Sequence, residues 1–180
     1  LYDLLPIPMT EDAVRYTAER IARAQDILGM RIGIENASTY IAPPGSDMSE
    51  PEFIRAVVER ADCWLHLDVN NIYVNSCNFG FDPHEYLQQL PLERTCYVHV
   101  AGHFVEDDGL VVDTHGSDVI DPVWQLLREA YAQMDHVVPT CLERDFNIPD
   151  LAILTQEVAQ IARLQQEAFG ATSMSDKRVA

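Results

Sequence analysis

Apolar residues recur along the chain in two alternating patterns. From Thr10 to Leu28 they keep the 3.6-residue spacing of a helix, with Thr10 placed to cap its start and Gly29 to end it. Short runs rich in β-branched and aromatic residues alternate with further helical patterns. The runs predict four strands, at residues 31–36, 63–69, 95–100 and 137–142. The helical patterns predict four more helices, at about 51–60, 82–89, 121–133 and 148–168.

Strands that alternate with helices build βα units, so this order predicts an α/β fold with a parallel sheet. A long loop is expected at 101–119, between the third strand and the following helix. We divide the chain into a domain at 1–170 and a small, polar tail at 171–180 that is expected to fray. Because the chain starts at Leu1 within a loop-like sequence, we expect it to belong to a longer polypeptide.

Charge and cysteine content narrow the classes of partner. Twelve Lys and Arg against 29 Asp and Glu give a formal net charge of −17, which repels nucleic-acid backbones and anionic membranes and favours cations. The four cysteines are scattered with no CxxC pair, which excludes a zinc knuckle and a disulfide scaffold. Reduced thiols predict a cytoplasmic protein.

Metal-ligating side chains lie at the ends of all four predicted strands. These residues are Glu35, Asp68, His99 and Glu143, roughly one βα unit apart. Because the carboxyl ends of parallel strands share one edge of a sheet, we expect them to converge. One such carboxylate alone is more often the N-cap of the next helix, but four in succession are hard to explain in that way.

Two further pairs extend this set. Asp113 and His115 lie two residues apart in the long loop and would point the same way in an extended segment, although a carboxylate orienting a surface imidazole is the simpler alternative. Asp68 and Asn70 share that spacing, so both are expected to face the site. Asn71 would then face away and hydrogen-bond to loop backbone.

The donors in this set are carboxylate, amide and imidazole groups without a thiolate, which suits iron, manganese or zinc. Their carboxylates would overcharge one ion, so two or more ions are expected. We expect His103 to orient a ligand, His66 to be a packed strand residue and Cys141 to lie in the core. His84 and His136 occupy predicted surface positions.

Five ordered motifs resemble those of the multinuclear non-haem iron-dependent oxidases, a family once classed as a domain of unknown function. They are Ile34–Ser38 (IENAS), Leu67–Asn75 (LDVNNIYVN), Val98–His103 (VHVAGH), Val112–Gly116 (VDTHG) and Ile120–Trp124 (IDPVW). The likeness runs from Leu4 to about Ala168, and LDVNN and DTHG are its most specific parts. That family is similar to the TIM barrels of the xylose isomerase type.

The resemblance implies a (β/α)8 barrel, of which this chain supplies the C-terminal four βα units and needs the N-terminal half for closure. It implies two or three iron ions, in mixed Fe(II) and Fe(III) states, at the mouth of the barrel, with zinc or manganese as alternatives. By resemblance the metal ligands are Glu35, Asp68, Asn70, His99, Asp113, His115 and Glu143. Glu35, Asp68, His99 and Glu143 are also the expected catalytic residues, and two further histidines would come from the other half.

The implied activity is the dioxygen-dependent modification of cysteine or other residues in a ribosomally made precursor peptide, with a companion protein that presents the peptide. Two alternatives stay open at this point. One is a sugar isomerase or a phosphodiesterase on the same barrel, in which zinc or manganese activates water. The other is a non-catalytic half-barrel that folds only with a partner. An isolated half would expose sheet edges and the apolar lining near Ile34, Leu67 and Val98, so we expect it to aggregate or dimerise.

Overall fold

The computed structural model describes residues 5–170, and the predicted polar tail at 171–180 lies outside the described residues. The helices are α1 (Glu11–Leu28), α2 (Glu50–Ala61), α3 (Val69–Phe79), α4 (Pro83–Gln89), α5 (Asp121–Gln133) and α6 (Leu151–Phe169). The strands are β1 (Gly33–Glu35), β2 (Trp64–Asp68), β3 (Thr95–Ala101), β4 (Phe104–Val105), β5 (Val111–Val112) and β6 (Thr140–Glu143). A short 3-10 helix at Leu92–Arg94 leads into β3.

Four of the strands form a parallel sheet in the order β1-β2-β3-β6. This arrangement confirms the predicted α/β class, in which helices connect strands that run in the same direction. The predicted helix caps are also present. The Thr10 hydroxyl accepts a hydrogen bond from the Ala13 N–H at 3.2 Å, and Gly29 ends α1 with a φ of 68°. No helix within residues 5–170 combines the length and the apolar character needed to cross a membrane.

The two faces of the sheet differ in chemistry. Leu67 and Val98 are fully buried in the core beneath the helices, and Ile34 packs against the same core. Our expectation that these three residues mark an apolar barrel lining is therefore wrong. Because side chains alternate along a strand, the opposite face carries polar and aromatic groups such as His66 and His99.

Helix α3 is the largest departure from the predicted elements, since no helix was expected at 69–79. The Asp68 carboxylate caps it by accepting a hydrogen bond from the Asn71 N–H at 2.8 Å. Val69 and Ile72 are fully buried, and this burial outweighs the weak helix propensity of the β-branched and asparagine residues.

Three other elements differ in extent. Strand β1 covers only Gly33–Glu35 of the strand predicted at 31–36. Strand β6 starts at Thr140 rather than Val137, because Pro139 has no N–H to donate to a neighbouring strand. The predicted loop at 101–119 contains the antiparallel hairpin β4–β5.

Candidate metal centre

The four strand-end residues meet around His99, at one edge of the sheet. Its Nδ1 lies 3.1 Å from Glu143 Oε2 and 3.3 Å from Glu35 Oε1. Asp68 Oδ2 lies 3.9 Å from the same nitrogen. The parallel register brings these side chains together, since Asp68 pairs with His99 and Ala101 pairs with Glu143. Their role as metal ligands stays a prediction.

The loop after β5 adds Asp113 and His115 to this cluster. His115 Nε2 lies 2.9 Å from Asp113 Oδ1, and its Nδ1 lies 3.5 Å from Glu143 Oε2. The segment is not extended as expected, because His115 has a φ of 52° in the left-handed region. The Asp145 N–H donates to the His115 carbonyl at 2.9 Å, which holds this turn against the end of β6.

Asn70 reaches the cluster from the first turn of α3 rather than from an extended segment. Its amide donates to Asp113 Oδ1 at 2.7 Å, and its Oδ1 lies 2.8 Å from His103 Nδ1. Ser38 donates to the other oxygen of Asp113 at 3.0 Å. Asp113 is thus oriented by two side chains, and His103 in turn orients one of them.

Asparagines also fix the backbone beneath the cluster. Asn36 forms a pair of hydrogen bonds with the backbone of Asp68, at 2.8 and 2.9 Å, and so ties the end of β1 to the end of β2. Asn71 donates to the Asn36 carbonyl at 3.0 Å, as expected for a residue that binds loop backbone. Asn71 nevertheless lines the site instead of facing away. Sequence reasoning missed Asn36, although an asparagine directly after a strand-end carboxylate could have indicated it.

His66 joins the cluster as well, although it was expected only to pack. Its ring lies 4.0 Å from the ring of His99, measured between centroids. Within each of two groups, Glu35, His66 and His99, and Asp68, His115 and Glu143, the potential ligand atoms lie within 4.8 Å of one another. The sequence contained a signal for this position of His66. His66 lies two residues before Asp68, and this spacing places both side chains on the same face of β2.

Protons stabilise the cluster when no metal is bound. Burial lowers the pKa of His99, but hydrogen bonds with Glu143 and Glu35 outweigh it and raise this pKa to about 10. The hydrogen bond with Asp113 raises the pKa of His115 to about 9. Burial and the nearby His99 charge lower the pKa of His66. Asp68 is fully buried, and burial raises its pKa well above the usual range. Two imidazoles of the cluster, those of His99 and His115, are therefore protonated when no metal is bound.

The residues present fit a metal site. Asp68 Oδ2 and His66 Nε2 are buried and have no hydrogen-bond partner among the described residues. Such groups are rare in folded proteins unless something else satisfies them. A cavity of about 170 Å³ lies against Glu35, His99, Asp113, His115 and Glu143. Oxygen and imidazole donors of this kind suit iron, manganese or zinc.

Metal binding should release protons from this cluster near neutral pH. A metal requires neutral imidazole, whereas the raised pKa values keep His99 and His115 protonated without it. Affinity should therefore rise with pH up to about 9 to 10. Metal titrations followed with a pH indicator test this expectation, and a metal affinity that is flat from pH 6 to pH 9 would contradict it.

The same histidines should stabilise the metal-free protein below their unfolded pKa of about 6.5. This contribution should disappear as pH rises through the folded pKa values.

A buried ion pair anchors the loop that carries Asp113 and His115. The Arg144 side chain is only 6% exposed, contacts Asp118 and lies 3.6 Å from Glu157 Oε2. The other oxygen of Glu157 accepts a hydrogen bond from the Val119 N–H at 2.8 Å. The end of the loop is therefore bound to both β6 and α6.

Replacing Arg144 with alanine should lower the free energy of unfolding by about 3 kcal/mol, because Glu157 is left buried without a cation. Urea denaturation measures this change. Arg128→Ala is the matched control, since the Arg128–Glu167 pair is 60% and 52% exposed and is expected to contribute less than about 0.5 kcal/mol. Equal losses in the two variants would show that the pair does not anchor the loop.

Comparison with known proteins identifies the family. The family described as "RiPP precursor modification enzyme MbnB/TglH/ChrH" matches residues 1–166. The chain belongs to this family. The resemblance carried by the five motifs is thereby confirmed at the level of the family.

Several relatives of this family member carry the name UPF0276 protein. The protein from Nitrosospira multiformis is 60% identical over 167 residues, covering 93% of this chain and 59% of the relative. The protein from Acinetobacter baylyi is 56% identical, covering 93% and 58%. The protein from Neisseria meningitidis serogroup B is 52% identical, covering 93% and 60%. The chain thus spans about three fifths of the length of these curated relatives.

Proposed function

We propose that this chain forms the metal-binding part of a multinuclear iron-dependent oxidase that uses dioxygen to modify cysteine or other residues of a ribosomally made precursor peptide. The observation that carries the proposal is the pair of adjacent donor groups at the strand ends, each able to hold one ion. Membership in a family described as RiPP precursor modification enzymes supports a peptide as the substrate.

The proposed fold of the whole enzyme is a (β/α)8 barrel in which this sheet is the C-terminal half. The polar face of the sheet supports this arrangement, because in a barrel it would line the interior and the mouth. The relatives are long enough to supply the remaining strands, since this chain spans about three fifths of them. A third ion would take ligands from that other half. A companion protein that presents the peptide is part of the proposal.

Each residue of the cluster has a proposed role. Glu35, His66 and His99 would hold one ion, and Asp68, His115 and Glu143 would hold the other. Glu143 lies between the groups, since its Oε2 is 3.1 Å from His99 and 3.5 Å from His115. Bound iron would supply one-electron chemistry with dioxygen.

The neighbours of these residues set their orientation. Asp113 is a predicted ligand by resemblance. In this arrangement it would also fix the direction of the His115 imidazole, because Ser38 and Asn70 hold both of its oxygens. Asn70 is a predicted ligand by resemblance. In this arrangement its amide instead orients Asp113, so its proposed role is to position the loop. A cytoplasmic location is also proposed, and the four unpaired cysteines are consistent with it.

Mass spectrometry of precursor peptides tests the proposed reaction. The full-length protein is loaded with ferrous iron, exposed to dioxygen and incubated with each cysteine-containing small peptide encoded beside its gene. We expect a mass change in one peptide, dependent on dioxygen and absent with Glu143→Gln. Iron-loaded protein that leaves every peptide unchanged would refute the oxidase. Turnover of a sugar phosphate or an abasic-site oligonucleotide with zinc or manganese would instead favour the isomerase or the phosphodiesterase.

A further inference from the structure

A second acidic feature lies beside the candidate metal centre, in a groove built around Glu50. We define the Glu50 groove by the residues Met9, Thr39, Glu50, Phe79, Phe81 and Tyr86. Cavities of about 200 Å³ and 230 Å³ meet at Glu50 and Phe81, which line both of them. Glu50 is the first residue of α2, so the start of this helix borders both cavities.

The Glu50 carboxylate has no cationic partner among residues 5–170. None of the ion pairs there includes it. Asn75 Nδ2 lies 3.5 Å from Glu50 Oε2, but this amide is already bonded to Ala37 and Thr39. Burial raises the pKa of Glu50 to about 7, and this effect outweighs that of the Tyr86 and Asn75 side chains, which lower it. A buried carboxylate is costly unless a cation or several hydrogen bonds compensate it.

The walls of the groove are apolar and aromatic. Phe81 stacks on Tyr86 with ring centroids 5.2 Å apart, and Phe79 is 39% exposed. Lysine and arginine side chains combine an apolar stem with a cationic head, and aromatic faces attract such heads. The groove therefore matches a basic side chain better than an acidic or a purely apolar one.

A third cavity shares lining residues with both this groove and the candidate metal centre. It has a volume of about 270 Å³ and is lined by Glu50, Thr39, Ala37 and Glu35. Ala37 and Glu35 also line the cavity at the metal centre. An extended peptide could therefore occupy the groove while one of its neighbouring residues reaches the cluster.

We propose that the Glu50 groove binds a lysine or arginine side chain of the peptide substrate and thereby sets which neighbouring residue is presented to the metal centre. This inference rests on the proposed function. The formal net charge of −17 favours approach of a cationic peptide, but it does not select a position on that peptide. Glu50 would select such a position, because it lies at a fixed place relative to Glu35 in the candidate metal centre.

Peptide binding to metal-free, full-length protein tests the groove without requiring turnover. Fluorescein-labelled peptides with one cysteine carry a single lysine, placed in turn at each position on either side of it. A matched series carries norleucine, which keeps the apolar stem and removes the charge. At one or two positions, lysine should improve affinity over norleucine by about ten-fold or more, because the ion pair forms in a partly buried groove.

Glu50→Gln should abolish this preference for lysine, whereas Glu19→Gln should preserve it. Glu19 is an exposed acid on α1, so this control removes the same charge from the protein. A preference that survives in Glu50→Gln, or wild-type protein without any position-dependent preference, would overturn the inference. A Glu50-dependent preference for lysine in a protein that oxidises no precursor peptide would refute only the proposed function. Oxidation of a precursor peptide by a protein without that preference would refute only the inference about the Glu50 groove.

Discussion

His115→Ala should reduce the metal content of the full-length protein by roughly one ion per chain. The substitution removes one of three donors from the group formed with Asp68 and Glu143, whose ligand atoms lie within 4.8 Å of one another. Even the loss of a residue that only orients a ligand lowers metal affinity by about 10- to 100-fold, and loss of a ligand itself costs at least as much. Elemental analysis after gel filtration measures the change.

His84→Ala is the control for this experiment. His84 Nδ1 lies 2.7 Å from Glu129 Oε2, and both side chains are more than 40% exposed. It has no contact with the cluster, so this variant should keep the metal content of the wild type. Equal losses in the two variants would show that the histidine assignments are wrong.

Gly102→Ala should destabilise the protein by about 3 kcal/mol and displace the loop that carries Asp113 and His115. A Cβ at this position would lie 2.0 Å from the Ser117 carbonyl oxygen and 2.8 Å from that of Asp118. Both contacts are with backbone, which cannot rotate away as a side chain can, so the loop must shift. Urea denaturation measures the free energy of unfolding, and metal content reports the displacement.

Gly116→Ala is the matched control on the same loop. Its Cβ would meet Phe146, Asn147 and Thr114 at 3.4 to 3.5 Å, which is ordinary van der Waals contact. We expect this variant to lose less than about 1 kcal/mol. If Gly102→Ala unfolds at the same urea concentration as Gly116→Ala, the close approach of the loop to β3 is not a structural requirement.

The sequence was sufficient to predict the βα alternation and the strand-end residues. Apolar runs bounded by helical patterns located β2 and β3 within two residues, and each run carried a potential metal ligand at or near its end. Parallel strands place such ends at one edge, so Glu35, Asp68, His99 and Glu143 could be grouped without knowledge of the register. The five motifs then identified the family, which the comparison confirmed.

Other features depended on tertiary contacts that local patterns do not contain. Helix α3 forms because Val69 and Ile72 are buried and Asp68 caps it, whereas its β-branched residues and asparagines have weak helix propensity. The spacing of two residues from Asp68 places His66 on the same face of β2, but only the structure shows that its ring lies beside His99. The left-handed turn at His115 could not be predicted either, because it depends on the contact between its carbonyl and the Asp145 N–H.

The most direct test of the proposed metal centre is anomalous diffraction from crystals of the full-length protein loaded with ferrous iron. We expect one anomalous peak among Glu35, His66 and His99, and a second among Asp68, His115 and Glu143. Data collected on both sides of the iron absorption edge would assign each peak to iron. Iron bound only at other carboxylates, with neither group occupied, would contradict the account.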